Sequence, residues 1–137
     1  MSTPFLEDAF HEYLRTRVLI PLHAVVIPQG VMDDPVATYA LANADYDMNL
    51  SGFSGIVRYS FALTTWSKSY PRAIRGAEEF RLKLQGFKGE WGTFRVGAVT
   101  LDSVKDIHVR EQDGGDVLYF GRESTYLVRT TAPKPTL

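Results

Sequence analysis

Cysteine is missing from this sequence. Disulfides and thiolate-bound zinc are therefore excluded, and assembly in a reducing compartment is allowed. A surplus of either charge is missing too, since 15 basic and 16 acidic residues leave a net charge of −1. A nucleic-acid binder normally carries a strongly basic face. A near-neutral wall past which DNA merely slides remains compatible, because non-specific affinity comes from neutralising phosphates. No apolar run approaches the roughly 18 residues needed to cross a bilayer, so no membrane partner is expected. Met1 to Asp8 lacks a basic and then apolar leader, and no signal peptide is expected. Without a secretory route, the glycosylation pattern Asn49-Leu50-Ser51 has no meaning. Neither a linker rich in Pro, Gly or Ser nor a fixed repeat divides the 137 residues. That predicts one domain over residues 1–131 and a frayed tail over 132–137.

Recognisable catalytic chemistry is scarce as well. Of the three histidines, His11 with Glu12 begins like a zinc-protease helix, but Arg15 stands where the second histidine must be. His23 follows a proline, and His108 lies in a charged strand. Neither has a spacing that joins it to a nucleophile, so a small enzyme using His23 or His108 with a carboxylate is the weaker alternative. Gly52-Phe53-Ser54-Gly55 lacks one residue of a nucleophile elbow and joins two strands, whereas an elbow turns from strand into helix. The glycines from Gly86 to Gly97 do not open a helix after a strand, so they form no phosphate cradle. The acidic pairs Asp33/Asp34, Asp45/Asp47 and Asp113/Asp116 fall short of a calcium loop. Turn chemistry accounts for the first and last of them. No catalytic residue, cofactor or metal is expected.

What is present is regular patterning. Pro4 to Arg17 reads as a helix capped by Thr3, with Phe5, Leu6, Phe10, Tyr13 and Leu14 as its stripe. Ala24 to Ile27 is a short extended piece. Val36 to Tyr46 reads as a strand. Asp47 to Gly55 then reads as the main loop, longer than a tight hairpin and hence a candidate binding surface. Ile56 to Trp66 alternates Val57, Tyr59, Phe61 and Leu63 with Arg58, Ser60 and Thr64, the mark of a half-buried strand. Arg58 and Trp66 fall on its less buried face. Tyr70 to Leu84 is the clearest helix. Pro71 sits in its first turn, Tyr70, Ala73, Ile74, Ala77, Phe80 and Leu84 form its stripe, and Gly86 lies beyond its end. Phe87 to Gly92 is a loop, Phe94 to Leu101 a strand, and Asp102 to Gln112 an extended stretch. A hairpin turn at Asp113-Gly114-Gly115-Asp116 leads into the last strand, Val117 to Thr130. This order predicts an α+β domain, an antiparallel sheet of about four strands packed against two helices.

Pro28-Gln29-Gly30, Val36 to Tyr46, Leu50-Ser51-Gly52-Phe53-Ser54-Gly55 and Val57 to Trp66 form an ordered series. Tyr70-Pro71-Arg72-Ala73 and Leu84-Gln85-Gly86-Phe87-Lys88-Gly89 continue it. The series, from about Leu6 to Thr130, resembles the tail-completion or tail-terminator family of long-tailed bacteriophages and gene-transfer particles. Thr65-Trp66 departs from the Cys-Trp that many relatives carry, and the charged stretch Lys105 to Glu123 looks individual to this chain. The resemblance implies a virion protein with no catalytic residue, assembled in the host cytoplasm into a ring, typically hexameric, at the head-proximal end of the tail tube. There the ring ends tube polymerisation and meets the head-completion or connector protein, while DNA passes through its lumen. A head-completion protein of the neck is the nearest alternative.

A ring uses two different complementary patches on each subunit. Candidate contact residues are Asp47, Leu50 and Phe53 in the main loop, Arg72, Arg75 and Glu79 on the second helix, and Phe87, Lys88 and Trp91 in the loop that follows it. The aromatics Phe53, Phe87 and Trp91 either face a partner or fold back onto the core.

Overall fold

The computed structural model describes residues 5–26, 34–49, 52–92, 94–110 and 117–131. For residues 47–49, 52–55, 110, 117 and 118 it describes the backbone alone. Thr3, Pro4, Asp33, the expected turn at 113–116 and the expected tail at 132–137 lie outside the described residues.

Among the described residues two helices and six strands follow one another as α1 (Leu6–Arg15), β1 (Leu22–Ala24), β2 (Val36–Asn49), β3 (Gly52–Ser67), α2 (Tyr70–Leu84), β4 (Gly89–Trp91), β5 (Phe94–Arg110) and β6 (Val117–Thr131). The strands form one sheet in the order β1-β2-β3-β6-β5-β4. Among these described strands the β1–β2 pairing is parallel, and the other four pairings are antiparallel. The expected four-stranded antiparallel sheet is thereby corrected to a mixed, six-stranded sheet curled into a half-barrel, still with two helices. The two extra strands are three residues each, too short to show the period-2 alternation by which a strand is read from sequence. β4 also replaces part of the expected loop from Phe87 to Gly92.

A second correction concerns the expected main loop. β2 runs to Asn49 and β3 starts at Gly52, with Met48 opposite Phe53 and Asn49 opposite Gly52. Most of the described part of the stretch from Asp47 to Gly55 is therefore the end of a long hairpin, and Gly52, Ser54 and Gly55 sit within β3. Small polar residues lower strand propensity, but backbone pairing to a partner strand overrides so weak a preference.

The sheet alternates as its pleat dictates. Val57, Phe61, Leu63 and Thr65 of β3 are buried on the helix side, with Tyr126 and Val128 of β6 and Val96 and Val99 of β5. From α1, Leu6, Ala9, Phe10, Tyr13 and Leu14 close this core; from α2, Phe80 and Leu84 do. Phe10 stacks on Phe61 with centroids 4.3 Å apart. Gly76 lets α2 approach β3 closely, since a Cβ there would meet the Thr65 methyl at 2.5 Å. Tyr70, expected on the buried stripe of α2, is 39% exposed. Its hydroxyl instead donates to Asp106 Oδ2 at 2.5 Å.

The start of α2 is fixed from the strand side. Ser67 Oγ donates to Asp34 Oδ1 at 2.5 Å and accepts from the Ser69 N–H at 3.0 Å, while the Lys68 N–H donates to Asp34 Oδ2. Both Asp34 oxygens are thus engaged by the segment that leads into α2, through long-range bonds in place of the local turn bonds expected of this residue. At the other end Gly86 takes φ +80°, the left-handed residue after a helix that glycine accepts without cost.

Candidate assembly surfaces

The described residues offer little to catalysis. His11 Nδ1 lies 3.1 Å from the Tyr39 hydroxyl. Burial, the foremost cause, holds the His11 pKa below its usual value, with Glu12 opposing. His23 Nε2 is buried without a hydrogen-bond partner among the described residues, and His108 is exposed on β5. Four ion pairs join described residues, Arg15–Glu12, Arg81–Glu78, Lys105–Glu123 and Arg122–Asp106, and none includes a histidine. Among the described residues no three His, Cys, Asp or Glu side chains gather where a metal could be held.

The expected contact residues fall into three groups. Arg72, Arg75 and Glu79 project from the outer side of α2 and Lys88 from the segment after it; all four are exposed, and none has an ion-pair partner among the described residues. Asp47 and Phe53 lie in β2 and β3, and nothing is described of their side chains; Leu50 falls outside the described residues. Phe87 and Trp91 turn inward. Trp91 is 2% exposed and packs against Phe10 at 5.6 Å, Tyr13 at 5.2 Å and Phe87 at 5.4 Å. Phe87 is half-buried against Tyr13 at 4.8 Å. Trp91 is therefore a core residue that offers no surface to a partner, which corrects its place among the contact residues. Its burial follows from β4, which pairs Trp91 with Phe94 and holds the indole under α1.

The helix-free face of the sheet carries surfaces that pattern reading passed over. At one end Val25, Val26, Thr38, Trp66, Val109 and Tyr119 line an apolar depression of about 260 Å³. Val25 adopts φ +67°, a strained conformation for a β-branched residue. At the other end Asp45, Arg58, Arg129 and Ala98 stand in one cross-strand row, with Ser60, Leu127 and Thr100 in the next. Together they line a depression of about 290 Å³. Alternation marked Arg58 as outward-facing, but only the β3–β6 register sets Arg129 opposite it. On the helix side Leu19 is fully exposed and Leu82 is 67% exposed, and the two line a shared depression.

This architecture is shared with a chain of a solved virus-like particle. The structure is titled "Virion of native gene transfer agent (GTA) particle", and the superposition has a TM-score of 0.70 at 14% sequence identity. It covers 93% of this chain and 95% of the particle chain. At that identity the likeness is one of fold. No protein-family model and no curated protein matches the sequence.

Proposed function

We propose that this chain is a structural protein of a tailed, phage-like particle, and within that class a tail terminator. Copies form a ring, hexameric by the family resemblance, that caps the head-proximal end of the tail tube, ends its polymerisation and presents the surface that the head-completion or connector protein joins. The observation that carries the reading is the near-complete mutual coverage, at a TM-score of 0.70, with a chain of a gene transfer agent virion. The ordered series from Pro28 to Gly89 narrows that class to the terminator.

The physical character of the molecule supports the same role. Exposed charge on α2 faces one way, and the mixed depressions of the bare sheet face the other. Two unlike surfaces on one chain are what head-to-tail closure of a ring uses. A net charge of −1 suits a wall that DNA passes without being held. The proposed work is done by shape, with no bond made or broken and no cofactor.

Deleting the gene in a producing strain tests the reading. Loss of a terminator yields tails of uncontrolled, excessive length, and labelled protein localises by electron microscopy where tail meets head. Normal-length tails that fail to join heads would assign the chain to head completion instead. Intact particles lacking the protein would end the structural reading altogether.

A further inference from the structure

The row Asp45–Arg58–Arg129 on the helix-free face sets two arginines directly opposite each other on adjacent antiparallel strands. Like charges so placed are destabilising in isolation. Arg95, opposite Thr131, adds a third exposed guanidinium diagonal to Arg129. None of the three joins an ion pair among the described residues, although Asp45 is aligned with Arg58. The floor between them carries Ser60, Thr100 and Leu127, the last 39% exposed. Paired guanidinium groups above hydroxyls and one aliphatic side chain form a receptor for carboxylates flanked by an apolar group.

The chain carries such a ligand on its opposite layer. The first turn of α1 bears Glu7 and Asp8, neither in an ion pair among the described residues, and Phe5 just before them is 61% exposed. The positive end of the helix dipole favours carboxylate side chains in a first turn. Nucleic acid fits the depression less well, because a continuous run of phosphates would also meet Asp45, exposed on the same face.

We propose that the Arg58/Arg129 depression receives the Phe5-Glu7-Asp8 turn of a second copy of this chain, giving the head-to-tail contact between neighbours in the ring. The inference rests on the ring reading above and names the two surfaces that meet. The contact is heterologous, so each copy offers its turn to one neighbour and its depression to the other.

The absence of cysteine permits a direct test by disulfide trapping on the purified full-length protein. Phe5→Cys and Leu127→Cys chains, mixed under mild oxidation, form a covalent 1:1 adduct. A His108→Cys chain, altered at an exposed position of β5 outside both surfaces, paired with Leu127→Cys gives at least about tenfold less. Adding Arg58→Glu and Arg129→Glu to the Leu127→Cys chain lowers the yield about tenfold or more, as expected for losing a close charge pair. Adding Glu7→Arg and Asp8→Arg to the Phe5→Cys chain then restores it. Circular dichroism checks that each variant is folded, and Arg58→Gln with Arg129→Gln serves if charge reversal prevents folding. An adduct no more abundant than the control, or one indifferent to charge reversal, overturns the proposal. So does retardation of a short DNA duplex by the wild type that the arginine variant loses, without any adduct. A missing adduct alongside overlong tails in the deletion strain would sink this contact and spare the terminator reading.

Discussion

Gly121 faces Trp66 across the β3–β6 pairing, and a Cβ at that position would stand 2.8 Å from the indole and 2.9 Å from Ile107 Cγ1. Gly121→Ala should therefore destabilise the protein by about 1–3 kcal/mol through overpacking. Gly97→Ala, whose Cβ meets nothing nearer than a backbone oxygen at 3.8 Å, should change stability far less. Urea midpoints of the two variants check the contrast. Trp91→Ala should cost about 3–5 kcal/mol, the usual range for emptying a large aromatic site in a core, and the loss should appear in folding before any assembly is measured. Local sequence left Trp91 undecided, because a tryptophan among glycines is equally apolar whether it faces a partner or the core. Its fate was set by a three-residue strand and by Phe10 and Tyr13, roughly eighty positions earlier in the sequence. His11 gives a pH signature. Its folded pKa is depressed by burial, so the unfolded chain binds the proton more readily, and stability falls as pH drops below the unfolded value of about 6.5. His11→Gln should flatten that part of a melting-temperature profile between pH 7 and pH 5; an unchanged slope would place its cause elsewhere.

At the scale of elements, α2 was the most legible part of the chain. Tyr70 and Leu84 bound it both in the pattern and in the structure, because Pro71, the apolar spacing and Gly86 all act within a few residues. Its tether to the sheet was not legible. Tyr70 OH and Arg122 Nε both donate to Asp106, at 2.5 and 2.8 Å, and these residues come from α2, β6 and β5, linked only by strand register. Asp106→Asn should weaken this tether by up to about 1 kcal/mol, the ordinary worth of a solvent-exposed ion pair. A double-mutant cycle with Arg122→Gln measures it. The bonds from Arg122, then Tyr70, hold the Asp106 carboxyl below its usual pKa. The contribution is thus complete above the unfolded carboxylate range and disappears as pH falls through the lowered folded value. That window lies well below the one assigned to His11. The central strands were legible for the same local reasons as α2. β1, β4 and the reach of the β2–β3 hairpin were not, since each depends on a partner strand and carries little signal of its own.

For the whole molecule, α1 matters more than its ten residues suggest. Leu6, Phe10, Tyr13 and Leu14 cover one end of the core, and Phe10 touches Tyr39, Phe61 and Trp91. A chain starting after Arg17 would leave those rings open to water, forfeiting about 1.5–3 kcal/mol for each large apolar side chain no longer buried. Such a truncation is expected to lose the cooperative thermal transition seen by circular dichroism, whereas removal of residues 132–137 is expected to preserve it. The candidate surfaces were only partly readable at this scale. The outward charges of α2 followed from helical spacing, whereas the arginine row exists only because strands β3 and β6, distant in sequence, lie side by side.

The register also gives the molecule a direction. β2 and β3 join at one end of the sheet, while β5 and β6 join at the other, beside the start of α2. A single layer of such chains, all oriented alike, has an upper rim made of one kind of hairpin and a lower rim made of another. A particle component that docks on one rim leaves the other, a chemically different surface, facing outward.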